Sequence, residues 1–158
     1  MSKLLKTQSI EILHSFIGEW EVQAYRDGKP MGKDHITFEW IENGTFLRQT
    51  AETVSTEGVP SEWVNVLPTP LTCIIGFDDT NSHFSQLYAD ARGVFRVYQM
   101  GLDGRKWKLW REAPGFSQRF TGIFSGDGKK INGAWETSED GKSWSKDFDL
   151  EYNRIEKR

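Results

Sequence analysis

Turn-forming pairs recur along almost the whole chain, and they limit what it can become. Asp27-Gly28, Asn43-Gly44, Asp78 to Asn81, Arg92-Gly93, Asp103-Gly104, Pro114-Gly115, Gly126 to Gly128 and Asp140-Gly141 follow one another at short intervals. Glycine, asparagine and aspartate supply the left-handed backbone that tight hairpins require. Between the turns, apolar and polar residues alternate with the period of a strand. This predicts strands near 19–27, 33–42, 45–54, 71–77, 82–90, 94–100, 105–112, 117–125, 130–137 and 144–154. Ten short strands joined mostly by hairpins describe an all-β meander, a barrel or a sandwich. The one long interruption is 55–70, "STEGVPSEWVNVLPTP", whose three prolines resist sheet pairing. Its Trp63, Val66 and Leu67 suit a lid.

One helix is expected, before Gly18. Ile10, Leu13 and Ile17 share a face, Thr7 or Ser9 can cap the start, and Gly18 can end it. At 158 residues the chain suits a single domain over 1–158, with seven Trp and ten Phe to fill its interior.

The two terminal strands carry a joint signal. Trp20, Val22 and Ala24 alternate with acidic and amide residues, and Phe148, Leu150, Tyr152 and Arg154 share one face of the last strand. If the meander rolls shut with an even number of strands, first and last meet antiparallel. Trp20 at the start of one then adjoins Arg154 at the end of the other. A guanidinium over an indole contributes about 0.5–2 kcal/mol beyond packing.

Gly18-Glu19-Trp20 after a short helix, the meander, and the terminal Arg154 resemble the calycin superfamily of lipocalins and fatty-acid-binding proteins. The tail "GAWETSEDGKSWSKDFDLEYNR" is similar to the end of small bacterial lipocalin-like domains of unknown function. The resemblance implies an up-and-down antiparallel barrel of about ten strands, with the short N-terminal helix closing one end. It also implies a small-molecule site in the lumen, where fatty-acid-binding proteins hold a carboxylate with arginine and tyrosine.

Several polar residues stand at positions whose strand neighbours are apolar. Arg48 shares a face with Phe46, Arg96 with Val94 and Tyr98, Arg111 with Trp107 and Leu109, and Gln118 with Phe116 and Phe120. His83 shares parity with Leu87, and Tyr88 with Phe84. An arginine facing a cavity calls for a carboxylate, because an unpaired buried guanidinium is costly. Arg96, Tyr98, His83, Tyr88, Gln118, Arg48 and Arg111 are therefore the candidate ligand-binding residues.

Other chemistry is weakly signalled. There is no His-Glu-x-x-His, no histidine pair at ligand spacing and no cysteine cluster, so neither a metal nor a cofactor is expected. Haem barrels of the nitrobindin type also begin with Gly-x-Trp, but ligate iron through a histidine near the C-terminus, and no histidine follows His83 here. Asp78-Asp79 reads as turn chemistry, and Cys73 in "LTCIIGF" as a core thiol. With 20 Lys and Arg against 23 Asp and Glu, the net charge of -3 disfavours nucleic acid. No run suits a membrane span or a secretory signal, and one cysteine permits no internal disulfide, so a cytoplasmic setting is expected.

Three functions remain open. The first is binding of a small, mostly apolar, anionic molecule inside the barrel. The second is a cofactor-free lyase, isomerase or hydrolase using Tyr98, Arg96 and His83, with Tyr88 or Glu112 assisting. The third is a ligand-free interaction module or homodimer.

Overall fold

A computed structural model of the chain describes residues 10–156. Residues 10–12 are helical and continue into a 3-10 turn at Leu13–Phe16; the proposed caps Thr7 and Ser9 lie outside the described residues. Ten strands follow: β1 Gly18–Arg26, β2 Lys29–Ile41, β3 Phe46–Ser55, β4 Leu71–Asp78, β5 His83–Asp90, β6 Phe95–Asp103, β7 Lys106–Arg111, β8 Ser117–Phe124, β9 Lys130–Ser138 and β10 Ser145–Ile155. Each pairs antiparallel with its sequence neighbours, and β10 returns to β1, so the sheet closes into an up-and-down barrel.

Closure occurs in the register anticipated above. Trp20 stands opposite Arg154, Val22 opposite Tyr152 and Ala24 opposite Leu150. The departures are local. β2 begins at Lys29, earlier than the prolines and glycines suggest. Its first residues pair only with β1, since pairing with β3 starts at Lys33 opposite Ser55. A proline is tolerated on such an edge, where its missing N–H is not needed. In the N-terminal helix the two fully buried side chains are Leu13 and Phe16. The 3-10 geometry, with three residues per turn, puts those two on one face.

Because the chain runs up and down, the hairpins 42–45, 79–82, 104–105 and 125–129 and the N-terminal helix gather at one end. The remaining turns and the long segment 56–70, with a single helical turn at Ser61–Val64, gather at the other. The first end is sealed. Phe16 packs edge-on to Trp107 at 4.9 Å and Phe124 at 5.2 Å, and Trp107 packs on Phe120 at 4.9 Å. Trp20 is fully buried and donates its indole N–H to the Phe16 carbonyl at 2.9 Å. The Arg154 guanidinium lies 4.1 Å from the Trp20 ring. It also donates to the carbonyls of Ser15, Ile17 and Gly128, which ties helix, β10 and a hairpin together. Burial lowers its pKa, yet arginine keeps its charge in proteins, and those carbonyls replace the lost water. Gly18, at φ +123°, lets the chain turn from helix to strand beneath this arginine; a Cβ there would meet Arg154 Nη1 at 3.0 Å.

No helix among the described residues is long and apolar enough to cross a membrane.

Candidate functional site

The side chains that point inward change character along the barrel axis. Near the sealed end they are Trp20, Trp107, Phe38, Phe124 and Met100, all inaccessible or nearly so. Toward the other end the inward positions hold Tyr88, Arg96, Arg111, Thr53, Asp34 and Trp135, and all of these are only half-buried. At the end that carries segment 56–70 the inward side chains thus keep part of their surface accessible.

Strand register explains why these residues converge. Arg96 and Tyr98 alternate with the exposed Phe95 and Val97, so both face inward from β6. Tyr88 is opposite Arg96 on β5, and Arg111 is opposite Gln118 across the β7–β8 pair. Gln118 links the group. Its Oε1 accepts from the Tyr98 hydroxyl at 2.7 Å and from Arg96 Nη1 at 3.1 Å. Burial, the dominant influence, raises the Tyr98 pKa, while Arg96 and Arg111 act on the same hydroxyl in the opposite sense. Both guanidinium charges thus fall on one side of the lumen, around one phenol. Trp135 closes the cluster edge-on to Tyr98 at 5.5 Å, and Phe116 lies 5.4 Å from the Arg96 guanidinium.

The arginines of this protein divide by partner. Arg26 pairs with Asp147, Arg48 with Glu39, Arg92 with Asp90 and Arg119 with Glu136. Arg96 and Arg111 have no carboxylate within ion-pair distance among the described residues.

Tyr88 also faces the lumen, but its hydroxyl is committed. It donates to Asp90 Oδ2 at 2.6 Å, and Asp90 in turn accepts from the Arg92 and Val94 backbone N–H groups and from the Arg92 guanidinium. This set fixes the β5–β6 turn. Four hydrogen bonds outweigh the burial of Asp90 and hold its carboxyl at about 2, while burial and the adjacent carboxylate push the Tyr88 phenol well up.

Two of the expected ligand residues lie elsewhere. Arg48 points outward and binds Glu39 Oε1 through Nε at 3.0 Å. His83 lies on the outer face at the sealed end, opposite Asp78, with Nδ1 3.3 Å from the Asn81 carbonyl. Their apolar companions, Phe46 and Leu87, are themselves exposed outer-face residues at 38% and 37%. At both positions the apolar companions mark the outer face, the reverse of the expected phase. Asp78 accepts from Thr80 and Asn81, which lowers its carboxyl to about 2, as a turn residue should. Cys73 is buried, and desolvation pushes its thiol up to about 12, which leaves it unreactive.

Three polar residues inside the lumen escaped the sequence reading: Asp34 on β2, Gln49 on β3 and Gln86 on β5. Each shares the inner face with apolar residues of its own strand, Ile36 and Phe38, Leu47 and Ala51, or Phe84 and the inward Tyr88. That was the same signal that singled out Gln118. The Gln49 and Gln86 amides make no side-chain hydrogen bond among the described residues, and their Oε1 atoms are buried without a donor. No cluster of metal-binding side chains occurs among the described residues.

Segment 56–70 crosses the rim at the open end. Trp63 lies 4.9 Å from the Arg26 guanidinium, Gly32 N–H donates to the Glu57 carbonyl at 2.8 Å, and the Pro68 carbonyl accepts from Ala91 N–H at 3.1 Å. Thr69 and Thr53 share a hydrogen bond. Two hollows lie on the outside of the barrel, one of about 720 Å³ beside Gly18, Phe38, Trp40 and Arg154 and one of about 320 Å³ beside Val97, Gln99 and Trp110. Both open broadly to water, which solvates any charge there. Arg111, at the end of β7, borders the second of them.

No family model and no curated protein matches the sequence. Among solved structures, the chain is similar to Rv2717c from M. tuberculosis, with a TM-score of 0.57 and 15% identity over 94% of this chain and 98% of that one. A protein of unknown function from the DUF3598 family of Nostoc punctiforme overlaps 90% of this chain and 48% of its own length, at a TM-score of 0.39 and 16% identity. The likeness to Rv2717c is one of fold.

Proposed function

We propose that this protein is a calycin-like barrel that binds a small, mostly apolar carboxylate in the open half of its lumen. The observation that carries this reading is the pair Arg96 and Arg111. They face inward in the open half, they converge on Tyr98 and Gln118, and they lack protein carboxylates, whereas Arg26, Arg48, Arg92 and Arg119 have theirs. A half-buried guanidinium beside apolar rings gains most from an anion that brings its own apolar body. Trp135, Tyr98 and Phe148 supply the surface for that body, and segment 56–70 serves as the cover. Tyr98 keeps its proton at neutral pH and acts as a hydrogen-bond donor rather than a base.

The test is a titration of intrinsic tryptophan fluorescence with octanoate. A saturable change is expected, because Trp135 borders the site. Replacing Arg96 and Arg111 together by Met should weaken binding at least about tenfold, since a hydrogen bond to a charged group contributes about 1.5–3 kcal/mol. A wild-type protein that gives no saturable response overturns the proposal.

A second reading, self-association, draws on the outer face of β5 and β6. Leu87 and Val97 are cross-strand neighbours there, exposed at 37% and 54%, and Phe95 beside them is 63% exposed. Sedimentation of the wild type beside Val97→Lys tests it: a dimer that the lysine dissociates supports self-association, and a monomeric wild type rejects it.

A further inference from the structure

The lumen has a second pole. Asp34 faces inward from β2, opposite Val22 on one side and Thr53 on the other. Four strands separate β2 from β7 in either direction round the closed sheet, so Asp34 and Arg111 stand on opposite walls. Ten strands about 4.8 Å apart make a ring roughly 15 Å across, wider with tilt. Side chains reaching in from both walls leave the span of a short molecule.

The carboxyl of Asp34 is incompletely used. Oδ1 accepts from the Thr53 hydroxyl at 3.1 Å, Oδ2 accepts nothing among the described residues, and no cation pairs with either. On the adjacent strand, nearer the sealed end, Gln49 is 7% exposed and its buried Oε1 has no hydrogen-bond donor. An unmet buried polar group costs about 1–3 kcal/mol, so the Gln49 amide inside the lumen, together with the half-used Asp34 carboxyl, points to a polar guest or to water. The aromatic groups between the poles connect them. Burial raises both phenols, and beside it the Asp34 carboxylate bears on Tyr152 and the Arg96 and Arg111 guanidinium groups on Tyr98.

We propose that the ligand is bifunctional: a short carboxylic acid that carries a hydroxyl or amino group at its far end. Its carboxylate lies against Arg96 and Arg111, and its distal donor against Asp34. This rests on the carboxylate reading above and adds the requirement for the second group.

Calorimetric titration of the whole chain with octanoate, with octanoate hydroxylated at its terminal carbon, and with octanol separates the two claims. The hydroxylated acid should bind about tenfold more tightly than octanoate, and octanol more weakly than either. In Asp34→Leu the advantage of the hydroxylated acid should vanish while octanoate binds as before. In the wild type, the carboxyl carbon resonance of Asp34 should move with the hydroxylated acid and stay still with octanoate, which keeps the test alive if the leucine variant does not fold. Equal affinity for the two acids, or an advantage that survives in Asp34→Leu, overturns the bifunctional ligand and leaves the carboxylate site standing. Failure of both acids to bind overturns both.

Discussion

Each end of this barrel sets an arginine against an aromatic ring, and the two arrangements differ in what else the guanidinium touches. At the sealed end Arg154 lies 4.1 Å over Trp20 and donates to three backbone carbonyls. Its hydrogen-bonding capacity is spent on the protein itself. At the open end Arg96 lies 5.4 Å from Phe116 and makes one side-chain hydrogen bond, to Gln118. Its capacity is largely unspent. The same residue type therefore acts as a structural rivet in one place and, in the proposed function, as a receptor for an outside anion in the other. The surroundings agree. Leu13, Phe16, Trp20 and Trp107 are 0–1% exposed, whereas Tyr88, Arg96, Arg111 and Trp135 are half-buried around the polar lumen.

Substitutions should separate the two ends. The largest effect is expected for Trp20→Ala, which empties the sealed end and removes the bond to Phe16; unfolding in urea should show a loss of about 3–5 kcal/mol. Next comes the contrast between the arginines. Arg154→Met should cost about 2–3 kcal/mol, well below the summed worth of its hydrogen bonds and indole contact because the guanidinium is partly solvated. Arg96→Met should change stability by less than about 0.5 kcal/mol while weakening carboxylate binding. Equal losses of stability at both sites would erase the distinction.

The smallest effect concerns Asp34, whose carboxyl burial raises above its ordinary value of 3.8, partly offset by the bond from Thr53. The native state therefore binds a proton that the unfolded chain releases, and stability falls as pH rises through the folded pKa. Below 3.8 both states are protonated and nothing is lost. Asp34→Asn, which keeps an acceptor for Thr53, should be more stable than the wild type at pH 7, with the advantage gone below pH 3.8. Paired urea titrations at the two pH values would show it. An asparagine variant no more stable at pH 7 would place Asp34 in water rather than in the lumen.

Much of this architecture is written locally in the chain. Turn pairs such as Asp27-Gly28 and Asp103-Gly104 mark hairpins without help from distant residues, and all ten strands lie where those pairs put them. The match of Trp20 with Arg154 was also legible, because parity along two strands and antiparallel closure fix it. The absolute phase of each strand is harder to read. Around Arg48 and His83 both faces carry apolar side chains, and only the assembled barrel tells which face is inside. Asp34 escaped for a related reason. A carboxylate between exposed-looking residues reads as solvent-facing until Ile36 and Phe38 are seen to point inward with it.

The most direct measurement follows the indole N–H resonances of the tryptophans as octanoate is added. Trp135 borders the open lumen, whereas Trp20 and Trp107 belong to the sealed end. Saturable movement of Trp135, with Trp20 and Trp107 unmoved, is the expected result. Movement confined to Trp20, Trp40 and Trp107 of the sealed end, or to the outer-face Trp110, would contradict a barrel with one closed end and one receptive end.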